Sequence, residues 1–243
     1  SYGNHNGLHI SRALISENLG GVELAQGSGS LDVASTSNLG GTLKFRSRDP
    51  QAEFGGIVAL TGGSDNTLRG FFRLESGEIA GLGTRGYISY VNSEMDKWKG
   101  VGQQNQEQIN FKAVQPIGPA RLTGWVNWSK RRENDYQDLS LEMINRQGYG
   151  WDNISGNWAR AVQIADIANN LGATGLAPTT PAAGTVSPFP IATADDAYFD
   201  AAGLRDDTVA ALTLEWPINE AFDVTATIYG HQNEGQGIWY TPY

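Results

Sequence analysis

The sequence predicts an all-β, antiparallel fold, and three observations predict it. Apolar and polar residues alternate with a period of two over several segments, as they do on half-buried strands. Short turns rich in Gly, Pro or Asn join these segments into hairpins. Glycine is frequent, at 31 of 243 residues, and Trp, Tyr and Phe number 7, 9 and 8. Glycine and aromatics with few long helical patterns make a β composition.

Seven segments read as strands: about 53–62, 67–76, 84–93, 105–116, 120–131, 207–217 and 221–232. The first, FGGIVALTG, is apolar on both faces and does not assign a side. In the second, Leu68, Gly70, Phe72 and Leu74 alternate with Arg69, Phe71, Arg73 and Glu75. In the fourth, Ile109, Phe111 and Ala113 alternate with Asn110 and Lys112. In the fifth, Leu122, Gly124, Val126 and Trp128 alternate with Arg121, Thr123, Trp125, Asn127 and Ser129. The last two form a hairpin, with Leu212, Leu214, Trp216, Phe222, Val224, Ala226 and Ile228 on one face and a turn at Pro217 to Glu220. A further turn is expected at Pro116 to Pro119.

The connections are unequal. Short turns alternate with longer stretches at 62–66, 93–106 and about 132–206, the asymmetry of an outer-membrane barrel. Within the longest, Ala161, Ile164, Ala165, Ala168 and Leu171 have helical spacing over 157–172, and Gly172 is placed to cap that helix. The Pro-, Ala- and Thr-rich stretch that follows reads as an irregular flap.

Alternation alone leaves two architectures open. A soluble sheet turns its apolar row inward. A membrane barrel turns it to lipid, on strands of ~9–11 residues. Trp128, Trp216 and Phe222 are placed as an interfacial girdle would be. No stretch approaches the length of a membrane-spanning helix.

The bulk chemistry excludes several functions. A net charge of −9 argues against a nucleic-acid partner. With no cysteine there is no disulfide frame and no thiol chemistry. No nucleophile elbow, phosphate loop or zinc-protease motif is present, so no enzyme and no cofactor are expected. His5 and His9 have the helical spacing of a metal pair, but Gly3 and Gly7 flank them and the segment reads as strand and turn, so no metal site is expected. Asp195-Asp196 and Asp206-Asp207 have the acidity of a cation site, but paired acids more commonly keep a surface loop solvated. His231 reads as a rim histidine on the polar row. The opening SYGNHNGLHI lacks the basic start and apolar run of a signal peptide, and GIWYTPY closes on a strand-like run, so the chain is expected to be an internal piece of a longer protein.

A family resemblance lies in the first fifty residues. Gly21-Val22-Glu23-Leu24-Ala25-Gln26-Gly27, a small-residue stretch, and then Asn38-Leu39-Gly40-Gly41-Thr42-Leu43-Lys44-Phe45 resemble the end of the plug domain in TonB-dependent outer-membrane receptors. Asn6-Gly7-Leu8-His9-Ile10-Ser11-Arg12 is similar to an earlier plug strand of that family, with Asn6 where Asp is usual. Ser47-Arg48-Asp49-Pro50 resembles the hinge from plug to first barrel strand. Segments 138–153, 194–207 and 233–243 look like loop segments of receptors from a proteobacterial branch.

The resemblance implies a large transmembrane barrel of about 22 strands in the intact protein, filled by an N-terminal plug. Residues 1–50 would be the C-terminal part of the plug and 51–243 the first strands, with a long extracellular loop at about 132–206. It implies a site in the outer membrane of a Gram-negative bacterium and uptake of a scarce solute such as an iron chelate, cobalamin or carbohydrate. The partners would be outer-membrane lipid, the small solute and the TonB-ExbB-ExbD complex, reached through a TonB box that this sequence lacks. A passive porin-like channel and a soluble β-sheet binding module or adhesin are the alternatives. An open sheet of this kind would leave edge groups unpaired in lipid, so the piece alone is not expected to transport.

Site expectations follow. Gly40 and Gly41 would let the plug backbone pass close to the barrel wall, and Glu23, Arg46 and Arg48 would pair with the wet inner row. Arg12 would face a ligand at the plug apex. Tyr136, Trp151, Trp239 and Tyr240 are candidate ligand-stacking rings, with mutual packing of the loops as the competing role.

Overall fold

The structure is a computed structural model that describes residues 9–27, 40–170 and 198–242, of which 166–170 are described in backbone only. Two sheets organise it. β1 (Leu19–Gln26) and β2 (Gly41–Ser47) form an antiparallel hairpin. The seven-stranded sheet runs in sequence order: β3 (Phe54–Gly62), β4 (Leu68–Ser76), β5 (Arg85–Asp96), β6 (Gln103–Ile117), β7 (Ala120–Asn134), β8 (Asp200–Asn219) and β9 (Phe222–Tyr240). Every neighbour is antiparallel, and the edges are β3 and β9, so the sheet is open.

The alternating segments lie on the expected strands, but several strands outrun them. β8 and β9 have 20 and 19 residues, and β7 continues to Asn134. The extra pairing is polar: Lys130 faces Asp206, Arg131 faces Arg205 and Arg132 faces Leu204. Backbone pairing needs no apolar alternation, so it continues where the alternation has stopped. The connection after β7 is therefore 135–199 rather than 132–206, and Asp206 and Asp207 lie inside a strand rather than on a loop. Pro116 and Pro217 also fall within strands. Each lies at a strand end, where a missing N–H costs least, and the register shifts between Pro217 and Asn219.

The polarity of the sheet is inverted relative to that of a soluble protein. Along one face, Phe72 pairs with Tyr90, Tyr90 with Ile109 and Ile109 with Trp128. Beside this row lie Leu74, Ile88, Phe111 and Val126 in register. These apolar side chains are uncovered: Phe111 is 45% exposed, Ile88 48% and Leu212 46%. The opposite face carries Arg73, Glu75, Ser89, Gln108, Asn110, Lys112, Asn127, Ser129 and Asp207, and these are buried, Arg73 and Asn127 completely. A charge is almost never fully buried unless it is paired, so something polar must cover that face.

The outward face also has a boundary. One step beyond the row holding Tyr90 and Trp128, the same face presents Asn92, Glu107, Lys130, Asp206 and Glu234 in register. Tyr90 Oη donates to Glu107 Oε1 at 3.2 Å across it. The rings of Tyr90 and Trp128 thus mark the end of the apolar band on this face.

Residues 9–18 and 47–51 lie against the polar face. α1 (Ile10–Ala13) is a single helical turn, followed by a 3-10 turn at Ser16–Asn18. The sequence reading of this segment as a strand is corrected: Arg12 N–H donates to His9 O and Leu14 N–H to Ile10 O, which closes the turn. Here Ile15, Phe71 and Val91 form a small apolar cluster under polar surroundings.

α2 (Leu141–Gln147) and α3 (Trp158–Asn170) lie in the 135–199 connection. α3 matches its periodicity, with Ala161, Ile164 and Ala165 buried. Its Asn157 side chain accepts from Arg160 N–H at 3.0 Å. The proposed cap at Gly172 lies outside the described residues, as do Asp195-Asp196 and His5. α2 was not legible as a periodic pattern. Its end signals were present: Ser140 Oγ accepts from Met143 N–H at 3.1 Å, and Gly148 ends it at φ +91°.

Candidate functional site

The built polar site is the interface between residues 9–18 and 47–51 and the inner row of the sheet. It has three anchor points along the sheet.

The first is Asp207. Its carboxylate is 1% exposed and accepts from Arg12 Nη1 at 2.9 Å, from Asn233 Nδ2 at 2.7 Å and lies 3.0 Å from His231 Nε2. Asn127 Nδ2 donates to the Arg12 carbonyl at 2.9 Å. Strands β7 and β8 therefore grip one turn of helix, and β9 braces the Asp207 carboxylate that holds it. Arg12 is 5% exposed and points into the wall, so its expected role at a ligand-facing apex is corrected. The reason is electrostatic: a buried guanidinium needs its counter-ion, and Asp207 is that counter-ion.

The second is Asn18 with Glu17. Asn18 Nδ2 donates to Ser89 Oγ at 2.7 Å and to Asn110 Oδ1 at 3.0 Å, and Arg73 Nη1 donates to Asn18 Oδ1 at 3.2 Å and to the Glu17 carbonyl at 3.1 Å. Arg73 Nε also lies 2.9 Å from Glu75 Oε1. Glu17 and Arg69 form a two-pronged pair, with Nη2 to Oε2 at 2.8 Å. The hydrogen bond from Arg69 outweighs burial and holds the Glu17 carboxyl below its ordinary value. A lowered folded-state value means that the pair contributes stability above the unfolded glutamate value, near ~4.3, and loses it as pH falls through the folded value. Protease cleavage within 9–27 of the intact protein is thus expected to rise as pH drops below about 4, and Glu17→Gln to flatten that rise.

The third is the hinge. Lys112 Nζ lies 2.9 Å from Asp49 Oδ1 and donates to Ser47 O at 3.0 Å, and Arg121 Nη2 lies 2.7 Å from Asp49 Oδ1. Burial works against the Asp49 charge, but the hydrogen bonds from Lys112 and Arg121 win and hold its carboxyl below the ordinary value. Gln51 N–H donates to Glu75 Oε2 at 3.1 Å, completing the junction with β3.

Other expected contacts fall elsewhere. Glu23 and Arg46 do not reach the inner row but pair with each other across the β1–β2 hairpin, at 2.8 Å and more than half exposed. A side chain at Gly41 would strike Ala25 O of that same hairpin, and a Cβ at Gly40 would meet nothing within 4 Å among the described residues. Among the described residues neither glycine approaches the wall of the sheet. The tight glycine of the segment is Gly20, where a Cβ would lie 2.8 Å from Arg48 Cα.

A cavity of about 250 Å³ lies between this segment and the wall, lined by Leu14, Ile15, Arg69, Val91, Gln106 and Gln108 among others.

The connections at the far end of the sheet carry the aromatic candidates. Lys97, fully buried, pairs with Asp152 at 2.5 Å and donates to Asp135 O at 2.8 Å. Its Nζ lies 4.8 Å from the Tyr136 ring centre. Gly100, at φ +70°, passes over this pair where any Cβ would collide with the Asp152 carboxylate. Burial first, and the Glu133 charge second, push the Asp135 carboxyl up. Trp151 lies under the Arg160 guanidinium at 5.6 Å, and Trp239 packs edge-on against Tyr198 at 5.5 Å. Trp239 and Tyr240 stay exposed, on β9 opposite Ala201 and Asp200. Trp98, which the sequence reading did not single out, lies 6.2 Å from Tyr136 and 5.4 Å from Tyr149. The signal for it was available: WK after a strand end, in a polar turn. Among the described residues no group of three or more metal-ligating side chains comes together.

No protein-family model matches the sequence. No curated protein matches it either. Among solved structures, the chain matches the pyoverdine outer membrane receptor FpvA from Pseudomonas aeruginosa PAO1, bound to pyoverdine, with a TM-score of 0.42 and 12% sequence identity. The match covers 90% of this chain and 36% of that one, so the chain spans about a third of the length of the structure it resembles.

Proposed function

We propose that this chain is part of an outer-membrane receptor that imports a scarce solute. Residues 1–50 would be the end of a plug and 51–243 the first strands of its barrel, with energy arriving through TonB-ExbB-ExbD. The carrying observation is the inverted sheet: a bare apolar row outside and a buried, ion-paired row inside, under residues 9–18 and 47–51. Water disfavours that apolar row at about 25 cal/mol per Å², whereas hydrocarbon does not. A soluble sandwich would bury the apolar row instead. A passive pore needs no segment tied to its inner wall by buried ion pairs, which makes it the weaker reading. Tyr136, Trp239 and Tyr240 lie at the end of the sheet where the long connection is, and the reading assigns that end to solute capture.

The test is uptake by cells carrying the intact protein. Import against a gradient is expected, with loss when a protonophore collapses the inner-membrane gradient. Uptake that survives the protonophore would favour the passive pore, and extraction of the intact protein without detergent would favour the soluble module.

A further inference from the structure

We infer that Trp98, Tyr149 and Lys99 form a shelf that binds a small solute carrying an aromatic ring and a carboxylate. The shelf is rigid from below. The buried Lys97–Asp152 pair fixes the turn after β5 to the connection after β7, and Trp98 N–H donates to Tyr136 Oη at 3.2 Å. From above it is open: Trp98 is 49% exposed and Tyr149 69%. Their rings are 5.4 Å apart and inclined by 32°, which leaves large faces turned to solvent. Aromatic side chains have two rotatable torsions and lose little freedom when a ring stacks on them.

Lys99 supplies the charge preference. Its Nζ lies 5.5 Å from the Trp98 ring centre and 5.7 Å from that of Tyr136, and it joins no ion pair among the described residues. The chain has 26 acidic side chains for 17 basic ones, so a lysine that has no acid is in the minority. Its ammonium keeps donors for an incoming anion while resting beside the rings. A ring stacked on Trp98 or Tyr149 brings its own carboxylate to this ammonium. A neutral sugar would need several exposed hydrogen-bonding side chains here, and the shelf presents rings and one cation.

The assignment of this solute as cargo rests on the receptor reading. Binding to the shelf does not, and the experiment keeps the two apart. The intact protein in detergent is titrated calorimetrically with 4-hydroxybenzoate, 4-hydroxybenzamide and cyclohexanecarboxylate, with no energy source present. The benzoate is expected to bind with a Kd of about 1 mM or tighter. The amide, which has the ring without the charge, and the cyclohexane acid, which has the charge without the ring, are each expected to bind about fivefold more weakly or worse. Lys99→Gln is expected to abolish the preference for benzoate over benzamide while retaining ring binding, and Tyr149→Ala to weaken both. No heat from the benzoate, or a preference that survives Lys99→Gln, overturns the shelf. Benzoate binding by a protein whose uptake ignores the protonophore leaves the shelf standing and removes the transport reading.

Discussion

Asp207→Ala is expected to free residues 9–18 from the wall of the sheet while leaving the strands in place. The change removes the carboxylate that pairs with the Arg12 guanidinium, itself 5% exposed. Breaking a buried pair by removing one partner costs about 3–5 kcal/mol. Asn233 and His231 lose their acceptor in the same step. A cost of 3 kcal/mol corresponds to roughly 100-fold in the population of detached segment. Cleavage of the intact protein within residues 9–27 by a protease added to membrane vesicles that carry it reads that population. Large hydrophilic antibiotics, otherwise excluded, are expected to enter cells carrying the variant. Arg12→Met combined with Asp207→Leu removes both charges and is expected to restore most of the attachment. If the single variant is as protease-resistant as the parent, the Arg12–Asp207 contact does not hold the segment.

The second large effect concerns the other face. Val126→Arg places a guanidinium in the middle of the uncovered apolar band, between Phe111 on β6 and Ala210 on β8. In a bilayer this costs about 2–4 kcal/mol near the midplane, whereas on a water-facing surface it lies within about ±0.5 kcal/mol. Lys130→Arg, on the polar row of the same face, serves as the control and is expected to change little. Denaturant-induced unfolding from lipid vesicles of the intact protein separates the cases. Equal stability of Val126→Arg and the parent would place that row in water.

The strands were legible because their period is two and their partners are neighbours in sequence. Phe72, Ile109, Phe111, Val126 and Leu212 all lie on the face their alternation assigned. Which face was bare was not legible from alternation, since a row reads the same beside lipid or beside a second layer. Burial decided it, through the fully buried Arg73 and Asn127. The polar extensions of β7, β8 and β9 were missed because ion pairs such as Arg132–Asp206 replace the apolar signal there. At the site, Asp206-Asp207 drew attention as a loop pair, and its partner Arg12 was placed elsewhere. The two meet across 195 residues of sequence, and no local pattern encodes such a meeting. Gly40, Gly41, Glu23 and Arg46 were assigned to the wall through family likeness, whereas the Glu23–Arg46 pair and the close approach at Gly41 lie within their own hairpin. The Lys97–Asp152 pair under the aromatic shelf was equally hidden, for the same reason of sequence separation.

The central claim is that the row bearing Ile88, Phe111, Val126 and Leu212 touches hydrocarbon. This chain has no cysteine of its own, so single nitroxide labels can be placed cleanly at 88 and 126, and at 127 and 129 on the opposite row. In the intact protein in lipid vesicles, labels at 88 and 126 are predicted to be relaxed strongly by oxygen and weakly by a water-soluble nickel chelate, and those at 127 and 129 weakly by both. Strong relaxation of the 88 and 126 labels by the nickel chelate would put that row in water and contradict the account.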